Sequence, residues 1–106
     1  MKTGNAEYKK IKNESEELAE NMDKISDWIY QRQEFDHSVL VHVFNQLLGV
    51  MGDVSENIGN IPETKDYLTI FRDRFTELTS AFESGDLILV ADIMHHEFVE
   101  GILKWD

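Results

Sequence analysis

Histidines close to carboxylates are the residues of this chain whose types and spacing fit coordination chemistry. Glu34 precedes His37 by three positions, and Asp92 precedes His95 by the same interval. Residues three apart on a helix are surface neighbours, so each pair can present two donors to one ion. Imidazole nitrogen and carboxylate oxygen are both common metal ligands in proteins. Metal binding is therefore one hypothesis for these four residues.

The two carboxylate-x-x-His pairs resemble those of ferritin-like di-iron bundles, in which two further helices each add an inward carboxylate. This chain offers Ser15 and then leucines and phenylalanines at the corresponding inward positions. His37 and His95 fall on the flanks of apolar stripes, and Asp92 points away from its stripe. We therefore expect no bound metal and no cofactor, and keep a metal-binding bundle as an alternative.

Motifs that reveal catalysis from sequence are absent from the chain. It has no P-loop, dinucleotide-binding glycine motif, nucleophile elbow or HExxH zinc motif. Asp36 is the best acid–base candidate, because it shares a projected helical face with Val43 and Leu47. An N-cap of the second helix explains the same position. We expect a protein that is not an enzyme.

The charge composition limits the classes of partner that the chain is expected to bind. Ten basic residues stand against 21 acidic ones among 106, for a net charge of −11. Such a surface repels nucleic acid phosphates and anionic lipid, so neither a nucleic acid nor a membrane partner is expected. The chain has no cysteine, which fits a reducing compartment. No apolar run of a signal peptide occurs in the first ten residues. The expected location is the cytoplasm.

Apolar spacing predicts one all-α domain over residues 1–106, with helices over about 5–31, 36–57, 62–83 and 86–105. Asp36, Pro62 and Asp86 mark three helix starts. Short connections favour an antiparallel up-down four-helix bundle, with dimerisation as an option. The first helix carries a narrow seam at three-and-four spacing, formed by Tyr8, Ile11, Ser15, Leu18, Met22, Ile25 and Ile29.

The fourth helix is apolar on more than one face. At about 100° per residue, one stripe collects most of its apolar residues. The stripe contains Leu87, Val90, Ala91, Met94, Phe98, Ile102 and Trp105. A second set falls off it, namely Ile88, Leu89, Ile93, Val99 and Leu103. A helix with two apolar faces is covered from two sides, so we expect another molecule to cover the second set.

These patterns favour a non-catalytic protein-interaction module, adaptor or chaperone-like, that binds a protein partner or a second copy of itself through the fourth helix. In size, acidity and helical architecture it is similar to secretion and flagellar export chaperones. The partner-binding candidates are Leu89, Ile93, Val99, Leu103, Trp28 and Tyr30. A structural subunit of a larger complex is a further alternative.

Overall fold

The first helix sets the length of the molecule. The computed structural model describes residues 5–58 and 62–104. Helix α1 (Asn5–Arg32) has 28 residues, about 42 Å at 1.5 Å per residue, and the molecule measures 44 × 21 × 21 Å. Six of the seven predicted seam residues are buried, namely Ile11, Ser15, Leu18, Met22, Ile25 and Ile29, and Tyr8 is half-buried.

The break between the first two helices falls where Asp36 predicts it. Gln33 adopts a left-handed backbone with φ of 55°, which ends α1. The Asp36 side chain accepts hydrogen bonds from the Ser38 amide (2.8 Å) and hydroxyl (2.7 Å). This cap satisfies a first-turn amide that has no partner inside the helix. Helix α2 (His37–Ile58) starts directly after it.

Helices α2 and α3 (Pro62–Glu83) pack through apolar and aromatic side chains. Phe44 makes edge-to-face contacts with Phe75 and Phe82, at ring-centroid distances of 6.2 and 5.2 Å. The sequence also predicts a helix stop at Gly59 and Asn60, which tolerate a left-handed cap, but these two residues lie outside those that the structure describes. The buried apolar side chains of α2 and α3 are Leu40, Val43, Phe44, Leu47, Val50, Val54, Phe71, Leu78 and Ala81.

The last helix changes its geometry halfway along. Asp86 caps helix α4 (Leu87–Asp92) by accepting the Leu89 amide at 3.0 Å. The chain then continues as a π-helix, here called the π segment (Ile93–Ile102). Its hydrogen bonds join residues five apart, as between the Leu103 amide and the Phe98 carbonyl at 2.8 Å. The helix predicted to residue 105 therefore ends at Ile102, and Trp105 lies outside the described residues.

The wider π turn overturns the predicted placement of two residues. Ile93 and Leu103 were expected off the core-facing stripe, yet they are only 8% and 1% exposed. Projection at α-helical angles misplaces both residues, because a π turn contains more residues than an α turn. Buried positions in this region repeat at intervals of four and five: Ile93, Met94, Phe98, Ile102 and Leu103.

The four helices form a ring around one core. Both α1 and α3 pack against α2 and against the last helix. In residues 5–58 and 62–104, the backbones of α1 and α3 do not approach each other closely, and neither do those of α2 and the last helix. The described chain is all-α, with four helices and no strand, as predicted. None of these helices combines the length and apolar character needed to cross a bilayer.

Candidate functional site

The last helix is flanked by a groove on each side. On the α1 side lies the acidic groove, about 600 Å³, with Glu16, Glu17, Glu20 and Asp23 along one wall. On the other side lies the α3 groove, about 620 Å³, bordered on the α3 side by Thr76, Glu77, Ser80 and Ala81. The four candidates from the last helix divide between them. Val99 and Leu103 line the acidic groove, whereas Leu89 and Ile93 line the α3 groove.

The acidic groove combines negative charge with an apolar base. Glu16, Glu20 and Asp23 recur at helical spacing with Ala19, so all four lie on one face of α1. Glu16 and Glu20 are exposed, whereas Ala19 and Val99 are half-buried and Leu103 is buried. One basic side chain, Lys104, lines the groove against four carboxylates. The sequence revealed these acids but not the groove, because they read as a solvated helix surface until the last helix is placed beside them.

The aromatic candidates of α1 are exposed but lie outside both grooves. Trp28 is 46% exposed, with the Arg32 guanidinium 4.1 Å from its ring centroid. The Tyr30 hydroxyl donates a hydrogen bond to the Asp92 carboxylate at 2.6 Å. Partial burial, and then this hydrogen bond, raise the pKa of Tyr30 to about 12. Tyr30 therefore ties α1 to the end of α4 while its ring edge stays open to solvent.

The four predicted metal candidates are not brought together. Asp92 faces Tyr30, His37 packs its ring against Phe82 at 5.0 Å, and Glu34 lies in the exposed connection before α2. Among the described residues, the set of side chains close enough to share one ion contains His95 but none of the other three. The three-residue spacing placed Asp92 beside His95 in sequence, but the two side chains have different partners.

The set that does converge is His95, His96 and Glu100, whose donor atoms lie within 4.8 Å of one another. One oxygen of Glu100 lies 3.1 Å from His96 Nδ1, and the other lies 3.7 Å from His95 Nε2. On its other side, His95 Nδ1 lies 3.0 Å from Asp23 Oδ1 of α1. The His96–Glu100 spacing of four was visible in the sequence. The His95–Glu100 spacing of five carries meaning only in a π-helix.

Asp36 is the N-cap of α2. The hydrogen bonds that Ser38 donates, first from its hydroxyl and then from its amide, lower the pKa of Asp36. A general acid needs the opposite shift. Another carboxyl shows a raised pKa: burial acts first on Glu14 of α1, and a hydrogen bond with Asp53 of α2 adds to it. Nothing in the sequence marked that pair, because its members belong to different helices.

Comparison with known proteins identifies a family without an assigned role. The chain belongs to the family described as Domain of unknown function (DUF8042), whose model matches residues 7–106. No curated protein and no solved structure matches the chain. The features of this chain that bear on its function are therefore the chemistry of the two grooves and of the histidine cluster.

Proposed function

We propose that this protein is a non-catalytic, adaptor- or chaperone-like interaction module whose acidic groove takes a basic amphipathic helix of a partner protein. The observation that carries the proposal is the pairing, in one groove, of four carboxylates with an apolar base formed by Ala19, Val99 and Leu103. Helix-in-groove recognition uses this combination: apolar anchors enter the groove, and charged residues of the ligand helix meet the rim.

The dimensions of the groove fit about two turns of a ligand helix. Glu16 and Asp23 are seven residues apart on α1, which corresponds to about 10 Å along its axis. Two apolar anchors spaced three or four residues apart would reach Val99 and Leu103. Lysines or arginines beside them would meet Glu16 and Glu20. The net charge of −11 also steers a basic ligand toward the surface and raises its association rate.

Peptide binding tests this proposal directly. The probe is a fluorescent amphipathic Lys/Leu helix of roughly 18 residues, about five turns. Fluorescence anisotropy measures its affinity for the wild type and for Glu16→Lys/Glu20→Lys. We expect the double variant to lose about tenfold or more, since each reversal turns an attraction of about 0.5–1 kcal/mol into a repulsion.

The matched control is Asp66→Lys/Glu83→Lys, which changes the net charge equally on exposed positions of α3. It should change the affinity less than about threefold at an ionic strength near 0.15 M, where distant charges are screened. Equal losses in the two double variants would mean non-specific attraction to an acidic protein. Absence of binding to the wild type would also refute the proposal.

Self-association through α4 is a second proposed interaction, since Ile88 and Leu89 are 38% and 43% exposed on adjacent positions. Light scattering over a range of concentrations, comparing the wild type with Leu89→Glu, tests the dimer. A monomer throughout would refute it.

Two further features belong to the proposal. One is an antiparallel up-down order of the helices, which the short connection through Gly85 and the ring of contacts support. The other is a cytoplasmic location, which the absence of cysteine supports.

A further inference from the structure

We propose that His95, His96 and Glu100 form a binding site for a divalent first-row transition metal, with Zn²⁺ as the representative ion. The two imidazoles and one carboxylate supply the nitrogen and oxygen donors that these metals prefer. This site differs from the pairing of Glu34 and His37 with Asp92 and His95 suggested by sequence spacing. The metal site requires no bound peptide, although its outer residue Asp23 also lines the acidic groove.

The donor spacing fits tetrahedral coordination. With metal–ligand bonds of about 2.1 Å, neighbouring donors of a tetrahedral site lie about 3.4 Å apart. The measured separations of 3.1 Å for His96 Nδ1–Glu100 and 3.7 Å for His95 Nε2–Glu100 lie on either side of that value. Because each imidazole faces a different oxygen of Glu100, the carboxylate lies between the two rings. The donor atoms of the three side chains lie within 4.8 Å of one another, and rotation about side-chain torsions would bring them to one ion.

Asp23 gives His95 the orientation that a metal ligand needs. Its Oδ1 atom lies 3.0 Å from His95 Nδ1, so that nitrogen can donate its proton to the carboxylate. In the neutral tautomer that carries its proton on Nδ1, the Nε2 atom on the Glu100 side has the lone pair that binds a metal. A carboxylate that holds a ligating histidine in this way is the usual outer partner of a zinc-bound imidazole. Here that partner comes from α1, so a bound ion would also strengthen the contact between the first and last helices.

The π segment is what assembles the three ligands. In an α-helix, residues five apart are separated by about 140° around the axis, which would turn His95 away from Glu100. The wider π turn brings positions five apart onto one face, while His96 stays close to Glu100 at a spacing of four. π turns occur frequently at functional sites. This coincidence of rare geometry and metal-binding side chains is why we place the site here.

The cluster is open to an ion from solvent. The side chains of His96 and Glu100 are 62% and 54% exposed, and that of His95 is 30% exposed. An incoming ion therefore needs no opening of the core, and substitutions at the two exposed positions should leave the fold intact. Three protein donors leave one tetrahedral position for water.

Isothermal titration of the metal-free protein with Zn²⁺ tests the site. We expect one ion per chain in the wild type. His96→Ala and Glu100→Gln should each weaken binding by more than about 100-fold, since loss of an outer-shell partner alone costs about 10–100-fold. Asp23→Asn should weaken it by about tenfold, and nitrogen NMR should show a mixed tautomer of the His95 ring in that variant.

Two controls separate this site from weak binding to an acidic surface. His42→Ala removes an exposed histidine of α2, and Glu83→Gln removes an exposed carboxylate of α3. Both should leave the affinity and stoichiometry unchanged. Equal losses in the controls and in the cluster variants would overturn the proposal, and so would wild-type binding that His96→Ala and Glu100→Gln leave intact. Circular dichroism verifies that each variant is folded.

Discussion

The two halves of the last helix differ in the exposure of the apolar side chains that were predicted to lie off its core-facing stripe. In α4 the surplus residues Ile88 and Leu89 remain about two-fifths exposed. In the region of the π segment the surplus residues Ile93 and Leu103 are buried in the core. Helix α4 keeps ordinary α geometry, whereas the π segment has more residues per turn, which brings Ile93 and Leu103 to the core side. The same kind of side chain is core in one half and surface in the other.

The comparison indicates why the π geometry is favourable here. Moving an Ile or Leu side chain from water into the core contributes about 1.5–3 kcal/mol. The π segment gains this for two residues that an α-helix would leave on its flank. Helix α4 has no such gain, and it keeps ordinary α geometry. Within the described part of the last helix, the large apolar side chains that remain exposed are Ile88 and Leu89 of α4.

The largest expected difference between the halves is in truncation. Phe98 is fully buried, with its ring 5.6 Å from that of Phe71, so Phe98→Ala should cost about 3–5 kcal/mol of unfolding free energy. Leu89→Ala in α4 should cost less than about 1 kcal/mol, because the side chain is already solvated. Urea denaturation of both variants measures this. Comparable losses would mean that α4 is covered by another molecule.

A charged substitution separates the halves by a similar margin. Ile93→Glu buries a carboxylate with no basic partner among the groove-lining residues, and should cost about 3 kcal/mol. Leu89→Glu should cost less than about 0.5 kcal/mol in the monomer. Thermal unfolding compares them. A mild effect of Ile93→Glu would show that this residue stands on the surface, as an α-helical projection expects.

The end of each half accepts a hydrogen bond from a tyrosine of another helix. Removing these two hydroxyls tests the difference between the halves more finely. The Tyr67 hydroxyl donates to the Ile102 carbonyl at 2.8 Å, and Tyr67→Phe should cost about 1 kcal/mol. Tyr30→Phe, at a more exposed hydrogen bond to Asp92, should cost less.

The same two tyrosines predict alkaline destabilisation. Burial raises the pKa of Tyr67, and the pKa of Tyr30 is raised to about 12. Folding therefore favours the protonated phenols. Their contribution is complete below the unfolded pKa of about 10 and is lost as the pH rises through the folded values. Urea midpoints measured from pH 9 to about 12 should fall, and should fall less steeply for Tyr67→Phe. A parallel decline in the variant would contradict this assignment.

The smallest expected effect is a gain in stability. A Cβ added at Gly101 meets no side chain, its nearest neighbour being the His96 carbonyl oxygen at 4.0 Å. Gly101→Ala should therefore stabilise the protein by about 0.5–1 kcal/mol, chiefly by restricting the unfolded chain. Chemical denaturation measures the gain. A loss instead would mean that the π turn depends on the freedom of glycine at this position.

Sequence patterns predicted most of the fold because α-helical periodicity holds for three and a half of the four helices. The seam of α1 and the cap at Asp36 followed from local chemistry alone. The π segment could not be predicted in this way. Its signal is two pairs of adjacent apolar residues, Ile93-Met94 and Ile102-Leu103, that lie four and five positions from Phe98. An α-helical projection reads that pattern as a second apolar face.

The candidate sites were harder to predict for the same reason. Spacing alone paired His95 with Asp92, whereas its partners in the structure are Asp23, from a distant helix, and Glu100, through the π turn. The acidic groove likewise needs α1 and the last helix side by side. The projection of one helix does not show neighbours from other helices. Asp23, for example, lies 72 positions from His95 in the sequence.

The ring of helices also has a kinetic consequence. Side-chain hydrogen bonds between α1 and the last helix join residues 62, 65 and 72 positions apart, so the ring closes through long-range contacts. During synthesis α1, α2 and α3 leave the ribosome first, with the apolar row Leu18, Met22 and Ile25 only partly covered. Completion of the core waits for the last segment to emerge. Loop closure across most of the chain should then govern the folding rate, making this helical protein slower to fold than one built from local contacts.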